Sequence, residues 1–468
     1  MRPKRSKHQR AIARALMPAL ALGLACLWAA CAKSPRPNVI LITIDTLRAD
    51  YLSCYGHPRP TSPNLDAFAG DAVLFEQVLC QSPETLPSHT SIMTGMHPRT
   101  HKVISHESKV DDAITTLAEV LNKRGYVTGA VVSSHVLDAK YGLDQGFAAY
   151  RPVHYAYKER QRELMHQREE DPTTEEALTW MRDHRKSRFF LWVHWFHPHR
   201  AYNPPPRYKQ IFAGDYAGPA AADQNDFAMR VWRDRVDLAA EDIAYMRGLY
   251  EGEVAFTDAQ VGRLLDELRA LNLLDNTIVV VTSDHGEILY EHEYYFGHDI
   301  ALYDECTMVP LVVRIPGIGE PPRRVGGLVQ TIDIFPTVLE ALGIACPGEV
   351  EGKSLLPLMR GAADGTVEYG FTETFPFPEK CPPRHAVRTE TAKLVWREEP
   401  PAEIAKQLYD LEADPAETVN LYPTGPEAQA LDAILADWIE PGGLHPAPIP
   451  TATESGRVKI LKSLGYLD

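Results

Sequence analysis

The sequence predicts an α/β protein: an α/β/α sandwich with a mostly parallel central sheet, followed by a small C-terminal α+β domain. Two observations predict the sandwich. Apolar, β-branched runs alternate along the chain with helical segments, which is the order expected when helical crossovers join parallel strands. Several of these runs also end directly in an acid or a histidine. Polar residues at the carboxyl ends of parallel strands are typical of a binding site.

The first strand is predicted within PNVILITID (37–45), a continuous apolar run that ends in Asp45. Continuous hydrophobicity, without alternation, indicates a strand that is buried on both faces. AITTLAEVLNKRGYVTGAVVSS (113–134) predicts a helix, a glycine stop and a second strand. RFFLWVHWFHPH (188–199) predicts another buried strand with histidines at its end.

The segment 254–287 predicts an amphipathic helix, a turn and a strand that ends in Asp284 and His285. VPLVVRIPG (309–317) predicts one more strand. We therefore place the large α/β/α domain at residues 36–350.

Two charged segments, 151–187 and 203–245, predict irregular insertions near the mouth of the site. After about residue 360 the pattern changes to short segments such as TAKLVW and KQLYDLEADPAETVNLY. They predict a few strands and a closing helix, which we assign to a small C-terminal domain at 360–468.

Residues 1–30 predict a signal peptide. MRPKRSKHQRAIAR carries six Lys and Arg and no acid, and a short apolar run follows it. This run is shorter than a comfortable membrane span, so a retained anchor is the less favoured alternative. Cys31, after Ala29 and Ala30, resembles a bacterial lipoprotein processing site, although Trp28 stands where that motif usually has Leu. We expect export to the periplasm or outer cell envelope, with acylation at Cys31 as the contact with the membrane.

Composition disfavours several classes of function. Without residues 1–30, 42 Lys and Arg face 63 Asp and Glu, a formal net charge of −21 that disfavours nucleic acid as a partner. The sequence after residue 30 has no long apolar run, which argues against a polytopic membrane protein. The cysteines form no CxxC pair, so a cysteine metal site is not expected, and the pairing of any disulfides stays open.

The string SDHGE (283–287) predicts a turn that presents an oxygen and a nitrogen ligand, Asp284 and His285, directly after a strand. Mixed sets of this kind bind hard or borderline divalent metals. Alone, the string fits a structural turn equally well, and a lone Asp45 fits a helix cap. Because both strand ends should meet at one edge of the sheet, together they favour a metal site.

The stretch SPETLPSHTSIMTGMHPRTH (82–101) is rich in hydroxyls and histidines. SHTSIMTG predicts a helix, and a helix N-terminus offers free N–H groups for a tetrahedral anion. A hydroxyl just before that turn would lie beside the anion, where a metal ion could activate it. Some of these hydroxyls are expected to be caps only.

The chain resembles the sulfatase family of the alkaline phosphatase superfamily over residues 37–423. The last segment is similar to the family's C-terminal signature, in which Leu-Tyr-Asp-Leu precedes Asp-Pro, Glu and Asn-Leu. The segments that carry the resemblance are PNVILITIDTLRAD, TLPSHTSIMTGMHPRTHKV, FHPHRAYNPPPRY, DNTIVVVTSDHGE, FGHDIALYDECTMVPLVVRIPG, QTIDIFPTVLEALGI, EGKSLLPLMRG and LYDLEADPAETVNLY.

The resemblance implies that Thr85 stands at the nucleophile position. Sulfatases place a Cys or Ser there, at the head of Cys/Ser-x-Pro-x-Arg, and oxidise it to formylglycine. Here the pattern is Thr85-Leu-Pro87-Ser-His89, with His89 where Arg is usual. Formylglycine is not expected on a threonine, and Cys80 cannot substitute because its following proline is misplaced. Superfamily relatives that cleave phosphodiesters or transfer phospho-head groups use an unmodified threonine.

The remaining matches imply a metal site and its surroundings. Asp45, Asp284, His285 and Thr85 match the ligands of one divalent ion, Ca²⁺ for a sulfatase, or Mn²⁺ or Zn²⁺ for a phosphoesterase. Thr46 stands where many sulfatases have a second Asp, so the ligand set is reduced or includes a neutral oxygen.

Several histidines and one arginine are candidates around the substrate. His199 and His298 are the candidates to face the anion or protonate the leaving group, although Asp299 departs from the family's pattern. Arg48, His89 and His101 are weaker candidates for anion contacts. His194 and His197 alternate with large apolar residues, which favours packing in the core.

Together these features predict an exported, metal-dependent hydrolase of a sulfate or phosphate (di)ester, acting through Thr85 on a small-molecule, glycan or lipid substrate. Two alternatives remain open: a phospho-head-group transferase of the same superfamily, and a non-catalytic homologue that binds anions. Threonine transferases often carry several membrane spans, which this sequence lacks. Oligomeric state and natural substrate stay open.

Overall fold

The computed structural model describes residues 36–153 and 171–439, with gaps inside the second range. The gaps are residues 223, 225–226, 229, 232–236, 294–295, 320–322, 349, 364, 376–381, 398–404 and 426. The predicted signal peptide and Cys31 therefore lie outside the described residues.

The strands and helices follow the predicted alternation. The strands are β1 (Asn38–Ile44), β2 (Val73–Leu79), β3 (Val127–Val132), β4 (Ala149–Pro152), β5 (Phe189–Trp195), β6 (Thr277–Ser283), β7 (Ile288–Leu289), β8 (Phe296–Gly297), β9 (Leu311–Arg314), β10 (Arg323–Gln330), β11 (Gly370–Thr374), β12 (Arg384–Arg388), β13 (Ala392–Arg397) and β14 (Lys406–Asp410). The α-helices are α1 (Pro63–Ala69), α2 (Thr85–Thr94), α3 (Pro98–His101), α4 (Leu117–Lys123), α5 (Pro172–His184), α6 (Pro206–Phe212), α7 (Pro219–Ala222), α8 (Ala240–Ala270), α9 (Asp304–Thr307), α10 (Ile334–Ala341), α11 (Leu356–Met359) and α12 (Ala428–Ile439).

Eight strands form the central sheet in the order β10-β2-β9-β6-β1-β5-β3-β4. Strand β9 is antiparallel to both of its neighbours, β2 and β6, and the other neighbouring pairs are parallel. The predicted α/β fold with a mostly parallel sheet is thus confirmed.

Strand β1 is buried along its whole length because both of its faces are covered by helices. Val39 and Leu41 belong to one hydrophobic core, whereas Ile40, Ile42 and Ile44 belong to the other. Successive side chains of a strand point to opposite faces, so a strand between two cores needs an unbroken apolar run.

A second sheet, β11-β12-β13-β14, is antiparallel, and α12 packs on it through Leu431 and Leu435. The small C-terminal α+β part is therefore confirmed, whereas its predicted boundary at residue 360 stays a prediction. No described helix has both the length and the apolar content that crossing a membrane requires.

Two segments that we expected to be irregular contain helices. Helix α5 occupies part of 151–187, and α8 begins at Ala240, inside the predicted insertion 203–245. Tyr245, Met246 and Leu249 recur at helical spacing and are buried, and this apolar stripe forms the helix despite the charged residues between them. Of the cysteines in the described residues, Cys54, Cys80, Cys306 and Cys346 are free thiols.

Candidate active site

The ends of β1 and β6 bring Asp45, Asp284 and His285 together. The two strands are parallel neighbours with Ile44 opposite Ser283, so the residues that follow them lie side by side. All three side chains have no solvent exposure, and one ligand atom from each lies within 4.8 Å of those of the others. The structure thus places the three residues where one ion could contact them all.

The donor atoms of this group fit a divalent cation. Both carboxylate oxygens of Asp45 and Oδ2 of Asp284 have no hydrogen-bond partner among the described residues, although they are buried. Burial, and next the charge of Asp284, raises the pKa of Asp45 well above its usual range. Buried carboxylates without partners are costly unless a cation compensates them. These orphaned oxygens are the observation that supports an ion.

The tautomer of His285 also suits a ligand. Its Nδ1 donates to the carbonyl of Gly286 at 3.0 Å, which leaves the Nε2 lone pair for a metal. On the other side, Asp284 is oriented by its Oδ1, which accepts from the amides of Thr46 and His285 at 3.2 and 2.9 Å.

Thr46 is held in an unusual backbone conformation. Its φ is 55°, and positive φ is rare for a β-branched residue. Its hydroxyl oxygen is buried and has no hydrogen-bond partner among the described residues. Tyr250 donates to the Thr46 carbonyl at 2.7 Å, which helps to hold the strained turn beside Asp284.

Thr85 is the first residue of α2, and its hydroxyl lies 3.4 Å from Nε2 of His285. The helix begins before the predicted SHTSIMTG segment and takes Pro87 into its first turn, where a proline is tolerated. The Ser88 amide donates the first intrahelical hydrogen bond, to the Glu84 carbonyl. The amides of Thr85 and Leu86 lie before it, at the helix N-terminus, where amides have no intrahelical acceptor. The nucleophile candidate and an anion-binding helix end thus coincide.

Helix α2 is also attached directly to the metal-ligand turn. The Ser88 hydroxyl donates to the Asp284 carbonyl at 2.6 Å. Ser283 donates to the carbonyl of Ile44 at 2.6 Å or to that of His285 at 2.7 Å, and it accepts from the Leu47 amide. These hydroxyls join the ends of β1 and β6 to the helix, and their role was not predicted from the sequence.

His199 and His298 face each other with their Nε2 atoms 3.2 Å apart. His298 donates from Nδ1 to the Pro83 carbonyl at 2.8 Å, and His199 uses Nδ1 toward the Arg200 carbonyl. A carbonyl only accepts, so both Nδ1 atoms carry hydrogen, and one Nε2 must be a donor as well. One of the two rings is therefore an imidazolium.

The charges around the pair assign the imidazolium to His298. Its Nδ1 lies 2.7 Å from the Asp299 carboxylate. Burial favours the neutral ring, but Asp299 outweighs it and raises the pKa of His298 to about 9. Burial, and next the charge of His298, holds the pKa of His199 well below its usual range. His298 is thus the proton donor of the pair and His199 the acceptor.

The three weaker anion candidates have their polar atoms engaged within the protein. The Arg48 guanidinium binds Asp50 at 2.7 Å and Glu291 at 2.9 Å. His101 accepts from the Val103 amide at 3.1 Å and lies 3.0 Å from the Ser91 hydroxyl. Both side chains are nearly fully buried. In the structure, Arg48 and His101 contact other residues of the protein. Their role in anion binding stays a prediction.

His89, the third of these candidates, is a residue of α2 and is fully buried. Its Nδ1 lies 2.8 Å from the Thr85 carbonyl, and its Nε2 lies 3.0 Å from the Thr43 hydroxyl. Both ring nitrogens are therefore occupied by groups of the protein itself.

The sequence favoured core packing for His194, and the structure places this buried histidine beside the metal group. Its Nε2 is 3.4 Å from Oδ2 of Asp45, and its ring is fully buried. It pairs in register with Thr43 of β1, so a polar residue near the end of a strand adjacent to β1 was the available signal. His197, by contrast, forms a 2.6 Å ion pair with Glu253.

Two polar residues that the sequence did not single out lie next to Thr85 and the His298 pair. Glu84 occupies the N-cap position of α2 without a capping bond from its side chain, and its Oε1 accepts from the Thr374 hydroxyl at 3.1 Å. Its Oε2 lies 3.8 Å from Nε2 of His106. Burial, and next the charge of Asp299, raises the pKa of Glu84 to about 8.

Comparison with known proteins finds two matching family models and several similar proteins. The family model described as Sulfatase matches residues 37–344, and the model of the C-terminal part of N-sulphoglucosamine sulphohydrolase matches residues 291–440. The chain is 25% identical to N-acetylglucosamine-6-O-sulfatase of Bacteroides thetaiotaomicron, covering 87% of this chain and 86% of that protein. It is 26% identical to arylsulfatase of Clostridium perfringens, covering 82% and 90%.

A solved structure with a similar fold is phosphonate monoester hydrolase of Agrobacterium radiobacter. It superposes with a TM-score of 0.70 at 24% identity and covers 86% of this chain and 95% of its own. At this identity the likeness supports the alkaline-phosphatase-like fold alone.

Proposed function

The chain belongs to the sulfatase family of the alkaline phosphatase superfamily, and on that premise we propose that it hydrolyses a sulfate or phosphate ester with the Thr85 hydroxyl as nucleophile. Its sulfatase relatives and its structural likeness to a phosphonate monoester hydrolase support a sulfuric or phosphoric ester hydrolase. One observation carries the proposal: the Thr85 hydroxyl lies 3.4 Å from His285, at a helix N-terminus and beside buried carboxylates that have no partners.

Members of the family generally bind a divalent metal ion. We assign it here to Asp45, Asp284, His285 and the Thr85 hydroxyl, with Ca²⁺, Mn²⁺ and Zn²⁺ as the ions to test. When bound, such an ion lowers the pKa of a coordinated hydroxyl and offsets the negative charge of the ester.

The residues then divide the reaction between them. Thr85, having lost its proton to solvent, attacks the phosphorus or sulfur atom, while the amides at the start of α2 bind the anion. The bond to the leaving oxygen breaks, and that oxygen keeps the electron pair and takes a proton from His298. Water then cleaves the ester on Thr85, releases the inorganic anion and returns a proton to the threonine oxygen.

The substrate class follows from the relatives. The curated proteins similar to this chain are named for sulfated sugars or aryl sulfates, and the similar structure is named for phosphonate monoesters. We therefore propose a small-molecule or glycan ester as the substrate. Because Thr85 is unmodified, we include phosphate esters as well as sulfate esters. Formylglycine, the usual sulfatase nucleophile, is not part of this proposal. The retained buried Asp45, Asp284 and His285 favour catalysis over simple anion binding.

An assay panel tests the proposal. Purified protein is incubated with an aryl sulfate, an aryl phosphate and an aryl phosphodiester, each with Ca²⁺, Mn²⁺ or Zn²⁺. We expect turnover of at least one ester, and a loss of roughly two or more orders of magnitude in Thr85→Ala, since the nucleophile is removed. Thr85→Ser keeps the oxygen and should keep partial activity. An active Thr85→Ala would instead indicate water attack and end the threonine mechanism.

We also propose export and acylation at Cys31, which rests on the sequence pattern of residues 1–35 alone. Mass spectrometry of the native N-terminus tests it. A diacylated or triacylated Cys31 is expected, since stable anchoring needs more than one chain. A free N-terminus beyond Cys31 would retain export and remove the lipid anchor.

A further inference from the structure

A chain of three buried side chains connects the central sheet to the first turn of α2. The indole Nε1 of Trp192 on β5 lies 2.9 Å from the hydroxyl oxygen of Thr43 on β1. That oxygen lies 3.0 Å from Nε2 of His89, and Nδ1 of His89 lies 2.8 Å from the carbonyl of Thr85. None of these three side chains is exposed to solvent.

The directions of these hydrogen bonds are determined by the groups at the two ends. The indole N–H can only donate, so the Thr43 oxygen accepts it and its hydroxyl hydrogen points to Nε2 of His89. The Thr85 carbonyl can only accept, so Nδ1 of His89 carries the hydrogen. Since Nδ1 already carries the hydrogen, the neutral ring has its lone pair on Nε2 and accepts the Thr43 hydroxyl there, so the chain selects the tautomer with hydrogen on Nδ1.

The same N–H also faces the metal-ligand group. Nδ1 of His89 lies 3.5 Å from Oδ2 of Asp284, an oxygen that has no hydrogen-bond partner among the described residues. One imidazole N–H is thus directed at the backbone of the nucleophile candidate and toward a candidate metal ligand.

We propose that His89 is a positioning residue that holds the Thr85 turn and the Asp284 carboxylate in register, with Thr43 and Trp192 fixing its tautomer. This inference rests on the proposed function. It assigns His89 a role behind the nucleophile, not one in contact with the substrate anion. Because the chain begins on β1 and β5, the sheet itself sets the distance between Thr85 and the ends of its strands.

The experiment separates positioning from general stability. Thr43→Val removes the hydroxyl that fixes the tautomer but keeps the shape, and Thr43→Ser restores it. Thr94→Val is the matched control, because the Thr94 hydroxyl is equally buried on α2 but, within the part of the chain that the structure describes, bonds only the Thr90 carbonyl, at 2.7 Å. His89→Leu removes both bonds. Each purified variant is titrated with Mn²⁺ and with Ca²⁺ by calorimetry, and kcat and KM are measured on the best ester of the panel.

We expect Thr43→Val and His89→Leu to bind the tighter of the two ions about 10- to 100-fold more weakly, the usual effect of removing a group that orients the ligands of a metal site. Their kcat should fall more than KM rises. Thr43→Ser and Thr94→Val should remain within about threefold of the wild type. If His89→Leu does not fold, the Thr43 pair carries the test.

The inference is overturned if Thr43→Val binds metal as the wild type does, or if Thr94→Val weakens binding as much as Thr43→Val. A wild-type protein that binds neither ion overturns it too. Failure of the proposed function is distinguishable, because it appears as no ester turnover, or as an active Thr85→Ala, whereas the calorimetric comparison needs no turnover.

Discussion

His298 is the residue whose protonation the structure defines most sharply. It donates from Nδ1 to a carbonyl and carries its second proton on Nε2, opposite the neutral His199. A group that protonates the leaving oxygen matters most when that oxygen is a poor leaving group.

We therefore expect His298→Gln to slow hydrolysis of alkyl esters by about 10²- to 10⁴-fold, the usual contribution of a general acid, and that of 4-nitrophenyl esters much less. A plot of log kcat/KM against leaving-group pKa should be steeper for His298→Gln than for wild type. His199→Gln is the comparison, because it removes the acceptor and keeps the donor. Equal slopes in His298→Gln and wild type would contradict the assignment.

For single residues, the sequence predicted which side chains lie at strand ends better than it predicted which partners the histidine rings contact. Asp45, Asp284 and His285 follow apolar runs directly, so their place at strand ends is a local property of the sequence. His89 and His101 lie on short helices, and which neighbours their ring nitrogens meet depends on tertiary packing. Spacing along the chain therefore suggested anion contacts, while the structure gives both rings buried partners within the protein.

At the scale of elements, the turn after β6 is built around Gly286. A Cβ on this residue would lie 2.0 Å from the carbonyl oxygen of Glu305, and its amide donates to the Cys306 carbonyl at 2.8 Å. Helix α9 therefore packs directly against the backbone of the metal-ligand turn.

We expect Gly286→Ala to lower the free energy of unfolding by about 1–3 kcal/mol and to weaken metal binding, since the turn must move away from Glu305. Urea denaturation and calorimetric titration with Mn²⁺ measure the two effects. Gly348→Ala is the control, because a Cβ there meets no atom within 4 Å. Unchanged metal affinity in Gly286→Ala would mean that this contact does not set the turn.

A buried ion cluster joins the second sheet to α9. Lys393 on β13 is fully buried, and its Nζ lies 2.8 Å from Asp304 and 3.0 Å from Glu417. Burial opposes ionisation of Asp304, but Lys393, and next Arg388, outweighs it and holds the pKa of this carboxyl well below its usual range.

Lys393→Met should therefore cost about 3–5 kcal/mol, because it removes the buried cation beside Glu417 and leaves Asp304 with Arg388 as its remaining cation. The depressed pKa of Asp304 stabilises the fold fully above its unfolded-state pKa of about 4, and this contribution is lost as the pH falls below that value. The free energy of unfolding, measured from pH 7 to pH 3, should therefore fall less steeply in the variant than in the wild type. Lys123→Met, which removes an exposed pair with Glu119, should cost no more than about 1 kcal/mol.

The elements themselves were predictable to different degrees. Strands β1, β5 and β6 are continuous apolar runs and were found from the sequence. The start of α8 was missed because charged residues dilute its apolar stripe. Strand β10 was missed because its first half, Arg323–Gly327, is polar and glycine-rich, and its pairing with β2 supplies what its own sequence lacks.

For the whole molecule, burial of the candidate metal ligands is expected to lower the stability of the metal-free protein. Asp45 and Asp284 are fully buried, and three of their four carboxylate oxygens have no hydrogen-bond partner among the described residues. Two close buried carboxylates without a cation should destabilise the metal-free protein. Stability and metal binding are thus expected to respond in opposite directions to the loss of one charge.

Asp45→Asn tests this opposition. In the presence of EDTA we expect the variant to unfold at a higher temperature than wild type, by a few degrees or roughly 1 kcal/mol, because the repulsion with Asp284 is removed. Adding Mn²⁺ or Ca²⁺ should raise the midpoint of the wild type and leave that of the variant nearly unchanged, since stabilisation by a ligand scales with its affinity for the folded state. Asp71→Asn, at an exposed carboxylate, should change neither midpoint. A variant that is less stable than wild type in EDTA would show that Asp45 is compensated within the protein, and the ion would then not be what its two orphaned oxygens require.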